Sequence, residues 1–155
     1  MLRSWKLTVN ETKTRVCKLP EEQLDFLGYT FGRCYSPKTG RAYPGTVPSQ
    51  KRVKRICEAI SELTGRDQTL LDSETVIAKL NRMMIGWANY FSLGPVSKAY
   101  RAADNHACKR LHQWLCAKPK VLGRASQRFP PDYLHDVLGL VCLTRRTVSF
   151  PWATS

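Results

Sequence analysis

The sequence predicts an α+β fold, with a small antiparallel β part over residues 1–47 and a larger, mainly helical part over residues 48–155. Three observations carry this. Up to about residue 43, β-branched and aromatic residues alternate with polar ones, the two-residue period of a half-buried strand. From Ser49 to Ala117, apolar residues return every three or four positions, the period of an amphipathic helix. Between the two patterns, Pro44, Gly45 and Pro48 break any regular element and mark the junction.

Residues 5–9 (Trp-Lys-Leu-Thr-Val) and 14–17 (Thr-Arg-Val-Cys) read as short strands around a turn at Asn10-Glu11. Leu24 to Tyr35 reads as a further strand pair, with Gly28 and Gly32 as bulge or close-approach positions, Ser36–Gly40 as the reversing loop and Arg41–Tyr43 as the returning strand. Ser49 then caps a helix to about Leu63, with Val53, Ile56, Cys57, Ile60 and Leu63 inward and Gly65 as its stop. Lys51, Arg52, Lys54 and Arg55 crowd its first two turns. Positive charge there opposes the helix dipole at a cost of a few tenths of a kcal/mol each, unless an anion sits nearby.

Asp72 or Ser73 opens the central helix, Ser73 to Phe91. At about 100° per residue, Val76, Leu80, Met83, Met84, Trp87, Tyr90 and Phe91 share one side of it. Lys79, Arg82 and Asn89 project from its flank, and Gly86, where Ala would be favoured by about 1 kcal/mol, suggests close approach of another group. Gly94-Pro95 separates this helix from a third, about Val96 to Ala117, with Val96, Ala99, Tyr100, Ala103, Ala107, Leu111 and Trp114 inward and Lys98, Arg101 and Lys109 opposite. Pro119 ends it. Lys120 to Arg128 is an aperiodic loop suited to lying along a phosphate backbone. Pro130-Pro131-Asp132 starts a short helix through Leu138, and Leu140–Leu143 is a final strand or extended packing segment.

The chain has 155 residues, 43% of them hydrophobic, enough for a real core and too many for wholesale disorder. Lys and Arg number 25 against 12 acids, for a net charge of +13, which favours a polyanionic partner. The excess is local: residues 48–128 hold 15 basic and 6 acidic residues, and from Lys98 to Arg128 eight basic residues face only Asp104. A merely solvated helix face mixes signs more evenly. No apolar run approaches the roughly 20 residues of a membrane span, and the first residues lack the apolar core of a signal peptide, so the expected setting is cytoplasmic, with no membrane partner. The six cysteines form no Cys-x-x-Cys pair and are expected to stay reduced, as small core or surface residues.

Cys108, His112 and Cys116 recur at four-residue spacing, but a structural zinc site wants four ligands, and His106 is turned away by nearly half a turn; no metal site is expected. His135 reads as an exposed helix residue. Two-metal nucleotidyl transfer needs paired carboxylates, and Asp25, Asp67 and Asp72 read as surface, loop or cap residues. Among the aromatics, Trp87, Tyr90, Phe91, Tyr100 and Trp114 read as core, with Tyr29 and Tyr43 as candidate exposed stackers.

Leu80-Asn81 followed by Ile85-Gly86-Trp87-Ala88-Asn89-Tyr90-Phe91 resembles the signature of the maturase-specific region, also called domain X or thumb, of group II intron reverse transcriptases. The run of Trp114, Lys118, Lys120, Gly123-Arg124, Arg128-Phe129-Pro130-Pro131, Gly139-Leu140-Val141 and Pro151-Trp152-Ala153 is similar too. Upstream, Asn10, Lys13-Thr14 and Phe26-Leu27-Gly28-Tyr29 resemble the last palm motifs of the same enzymes, Lys13 matching a lysine near the incoming nucleotide and Phe26 to Tyr29 the primer grip.

The resemblance implies a palm remnant at 1–47 and an RNA-binding maturase domain at 48–155, which would assist folding and splicing of a group II intron RNA. Its candidate RNA contacts are Lys51, Arg52, Lys54, Arg55, Lys79, Arg82, Lys98, Arg101, Lys109, Arg110, Lys118, Lys120, Arg124 and Arg128. The Tyr-x-Asp-Asp turn of the family's polymerase site is absent from this sequence, so no catalytic residue is expected, and no cofactor beyond Mg2+ held by the bound RNA or by a separate palm. The alternative is a dependent part of an RNA-directed DNA polymerase, contributing template-primer binding beside a separately encoded finger-palm fragment.

Overall fold

The computed structural model describes residues 16–19, 21–36, 38–118 and 129–146. The expected strand at 5–9, Lys13 and the loop at 120–128 lie outside these; Val16 and Cys17, at the end of the other expected strand, belong to no strand.

Three antiparallel strands form one sheet in chain order: β1 (Leu24–Phe26), β2 (Tyr29–Tyr35) and β3 (Ala42–Pro48). Leu27 and Gly28 make the two-residue turn between β1 and β2, with φ of 52° and 86°. Such a turn matches the twist of a hairpin but is normally given to Asn or Gly, so Leu27 holds its left-handed backbone at a cost. The returning strand is longer than expected. It runs through Pro44, Gly45 and Pro48, pairing Arg33 with Pro44 and Tyr29 with Pro48. The physical reason is position: β3 is an edge strand, and prolines an even number of residues apart lose N–H groups on the same side of the ladder.

The helical part comprises α1 (Gln50–Leu63), a 3-10 turn (Arg66–Gln68), α2 (Ser73–Tyr90), α3 (Ser97–Cys116), one wide helical turn α4 (Tyr133–Val137) and a last turn α5 (Leu143–Arg146). Asp72 caps α2 by accepting the Glu74 N–H at 3.1 Å. Ser49 holds the N-cap position of α1 without a side-chain bond. That helix ends at Leu63, as expected, with Thr64 as its C-cap just before Gly65; the buried Thr64 hydroxyl donates to the Ile60 carbonyl at 2.7 Å.

Ile56 and Ile60 of α1, Val76, Ile77, Leu80, Met84 and Ala88 of α2, and Tyr100, Ala103, Ala107, Leu111, Trp114 and Leu115 of α3 form a single core, closed by Leu134, Leu140 and Leu143. The stripe expected on α2 needs three corrections. Ile77 and Ala88 are buried, Met83 and Trp87 only half-buried, and Tyr90 is 57% exposed, its hydroxyl bonded to Leu27 of the hairpin turn instead of lying in the core. Gly86 is exposed, and a Cβ there would meet nothing within 4 Å, so no close approach explains it.

The end of α2 is where sheet and helices join. Its last carbonyls have no partner within the helix, and tyrosine hydroxyls supply them. Tyr100 donates to Ala88 (2.7 Å) and Phe91 (3.0 Å), while Tyr29 donates to Tyr90 at 2.6 Å. Tyr90 returns the bond by donating to Leu27 at 3.1 Å, hooking the hairpin turn. Tyr29 is therefore not the exposed stacker expected: it is buried, with its ring 5.1 Å from that of Phe91. Tyr43 is half-buried. Gly94, at φ 75°, presses the α2–α3 connection onto β3 so closely that a Cβ would collide with the Thr46 carbonyl oxygen.

The chain between α4 and α5 forms no strand, and Leu143, expected to end that segment, instead opens α5. Asn81 clasps this connection twice: its amide donates to the Gly139 carbonyl at 2.8 Å, and its carbonyl accepts the Val141 N–H at 2.7 Å.

Candidate nucleic-acid interface

Helix periodicity turns apolar residues inward, and the cations between them consequently face out. Lys51, Arg52, Lys54 and Arg55 are all exposed on the first two turns of α1, and Arg52 also packs beside Gly28. Lys79 and Arg82 are exposed one turn apart on α2, as are Lys98 and Arg101 on α3, with Lys109 exposed about two turns further along. Among the described residues, only Lys54 of these nine pairs with an acid, Glu58 at 3.8 Å, and that exposed pair contributes little. The helices themselves add to the sign: α1 and α3 have no acidic residue in the first turn and no side-chain cap, whereas α2 has both Glu74 and Asp72.

Two of the sequence-selected cations are held by the fold. Arg110 is half-buried and donates to the Ser61 and Thr64 carbonyls at 3.1 and 3.2 Å and to the Thr64 hydroxyl at 3.3 Å. It thus places a cation on the C-terminus of α1, where the helix dipole favours one. Lys118 donates to the Leu71 carbonyl at 2.7 Å and lies 4.3 Å from the centre of the Trp114 ring. Lys120, Arg124 and Arg128 lie outside the described residues.

Asp104, the single acid in the basic segment, points the other way. Buried in α3, its carboxylate accepts the Leu143 and Thr144 N–H groups, each at 2.9 Å, and the Thr144 hydroxyl at 2.6 Å. It caps α5, so its charge is spent inside and does not offset the cations outside. Nothing in the local sequence signals this, because its partners lie about forty residues away.

The cysteine and histidine trio is split. Cys108 lies 3.3 Å from His135 Nε2, while Cys116 rests against His112 at 3.8 Å, and no cluster of three potential metal ligands occurs among the described residues. His135 is half-buried, not exposed as expected, with Nδ1 2.9 Å from the Leu140 carbonyl. Because a ring nitrogen facing a carbonyl carries the proton, Nε2 is the acceptor and the Cys108 thiol the donor. Burial, reinforced by Asp104, pushes that thiol up to about 11, so it stays protonated and is no nucleophile at neutral pH. His106 meets the Ser61 hydroxyl at 2.8 Å, and burial is the main reason its pKa is lowered.

Of the palm-like residues, Phe26 and Leu27 are 57% and 65% exposed, while Gly28 and Tyr29 are turned toward Arg52 and Phe91. A groove of about 950 Å³ lies between the sheet and the first turns of α1 and α3, bordered by Asp25, Thr30, Arg33, Tyr35, Lys51 and Lys98. The sequence reading missed Arg33 and Tyr35; strand alternation marks them as residues of β2 but not which surface they overlook.

Residues 53–129 match the family described as group II intron, maturase-specific domain. No curated protein matches the chain.

Proposed function

Since residues 53–129 belong to the group II intron maturase-specific domain family, we propose that this chain binds the RNA of a group II intron and helps it reach its splicing-competent fold. The family match carries the reading. The exposed cations of α1, α2 and α3 support it, because a polyanion held by Lys and Arg releases its condensed counterions on binding. Phosphate contacts would position the RNA, while shape and unpaired bases would supply selectivity. The chemistry of splicing belongs to the RNA in this reading, with Mg2+ bound there and not by this chain, in the cytoplasm. No helix among the described residues is long and apolar enough to cross a membrane.

One observation favours a second reading, in which the chain contributes template-primer binding beside a separate finger-palm fragment. Phe26 and Leu27, on and next to the edge strand β1, expose apolar side chains that a neighbouring element would cover.

The test is a binding titration with a group II intron transcript at several salt concentrations. Under the first reading affinity falls steeply with salt, and replacing Lys51, Arg52, Lys54 and Arg55 by Ala flattens that dependence. Unchanged affinity and slope would remove α1 from the interface. Replacing Lys120, Arg124 and Arg128 in the same way tests the loop. Template-dependent DNA synthesis by the isolated chain would refute the absence of a polymerase site. Synthesis that appears only when a finger-palm fragment is added would select the second reading.

A further inference from the structure

The groove between the sheet and the starts of α1 and α3 is not needed to explain the family match, and most of its bordering residues, Arg33, Tyr35 and Lys51 among them, precede the matched segment. We propose that this groove holds an unpaired stretch of RNA, its phosphates on Arg33, Lys51 and Lys98 and one base stacked on Tyr35. The proposal deepens the RNA-binding reading and rests on it.

Charge complementarity selects an anionic occupant. Arg33, Lys51 and Lys98 are all exposed, and none forms an ion pair with another described residue. The one carboxylate on the border, Asp25, accepts the Thr30 hydroxyl at 2.5 Å. The first turns of α1 and α3 open on the same space, so their free N–H groups add positive potential to that of the side chains.

The remaining surface narrows the kind of anion. Val47, Pro48, Val53, Ala99 and Ala102 give the groove apolar walls, which suit sugars and base faces better than a bare phosphate ion. Tyr35, at the end of β2, is 63% exposed, and an open ring beside cations is the combination on which successive unpaired bases stack. A duplex does not fit this description. Its bases are already stacked and its two stiff backbones lie across a groove mouth without reaching the floor. Register places Arg33 and Tyr35 on the sheet face that also carries Tyr29, four and six residues along β2 from it, while Asp25, Thr30 and Val47 border the groove from the other face.

The experiment measures binding of the whole chain to a labelled oligouridylate, to a blunt RNA duplex of equal length and to a group II intron transcript. Tyr35→Ala should weaken oligouridylate binding about tenfold, as expected for one lost stacking contact, and leave duplex binding unchanged. Tyr35→Phe, which keeps the ring, should bind as the wild type does. Arg33→Glu should weaken the oligonucleotide and lower the salt slope by about one. Melting curves beside each titration confirm that these exposed substitutions leave the fold intact. If the wild type binds the transcript but Tyr35→Ala and Arg33→Glu bind oligouridylate normally, the groove is overturned and the RNA reading stands. If the wild type binds no RNA, both fall. If polyglutamate displaces the oligonucleotide while Tyr35→Ala has no effect, the groove is a general anion surface and the proposal is wrong.

Discussion

The sheet and the helical layer are held in different ways. The helices exclude Ile60, Leu80, Met84, Leu111 and Leu143 from solvent entirely, whereas the sheet contributes Tyr29 alone to the buried hydrophobic residues and leaves Leu24, Phe26, Leu27 and Tyr35 exposed. Cohesion in the helical layer comes from apolar burial, at about 25 cal/mol per Å². The sheet keeps its place by its own ladder and by a few points of attachment: the reciprocal Tyr29 and Tyr90 hydroxyls, the Ser49 N–H to Gly28 bond at 2.9 Å, and the Gly94 contact on Thr46. Basic charge concentrates on the helices, while the sheet supplies a wall, Arg33 and an aromatic.

The largest effect that would test this contrast comes from the core. Trp114→Ala should cost about 3–5 kcal/mol and melt helices and sheet together, measured by denaturant unfolding. A loss below about 1 kcal/mol would mean that α3 is not the spine of the core. Tyr100→Phe comes next, at about 1–3 kcal/mol, because it strips two carbonyls buried at the end of α2 of their donor. It should also change the alkaline response. Burial pushes the Tyr100 hydroxyl up from 10 to about 12, so its contribution is complete below pH 10 and is lost as pH rises through about 12. The variant should lack that decline.

Tyr29→Phe removes only the bond to the Tyr90 carbonyl, at about 1 kcal/mol, and separates the two regions. Hydrogen exchange should quicken over residues 24–48 and stay unchanged over 76–111. Equal acceleration in both would show that the sheet is integral to the helical core. The smallest effect belongs to His106, whose pKa burial depresses below the ordinary 6.5. Its contribution is present above pH 6.5 and fades as pH falls through the lowered value. His106→Gln should flatten stability against pH on the acid side of 6.5; an unaltered profile would assign the acid response to other groups.

The long helices were legible because their apolar period is continuous over many turns. Residues 73–91 and 96–117 were read within a residue of α2 and α3, and Asp72 as the α2 cap was visible in the sequence as well. What escaped depends on neighbours that no local pattern names. Pro44 and Pro48 read as breakers because an edge position is set by the strands beside it. Tyr29 and Tyr90 exchanged their expected exposures because a hairpin turn lands on the end of α2. Arg110 and Lys118 looked like further members of a basic face, yet backbone carbonyls of Ser61, Thr64 and Leu71 hold them. Of the candidate interface, the exposed cations of the helices followed from periodicity; the groove did not, since it exists only between elements.

The clasp of Asn81 on Gly139 and Val141, and that of Asp104 on Leu143 and Thr144, carry a consequence for the order in which the chain is made. Each joins an early helix to residues synthesised much later, so α2 and α3 leave the ribosome with an amide and a carboxylate whose partners do not yet exist. Domain formation must wait for Thr144, however strong the helical tendency of what came before. A nascent chain stalled before Gly139 should be cut readily by added protease, and one stalled well beyond Arg146 should resist; early resistance would show that the helices close without their clasps.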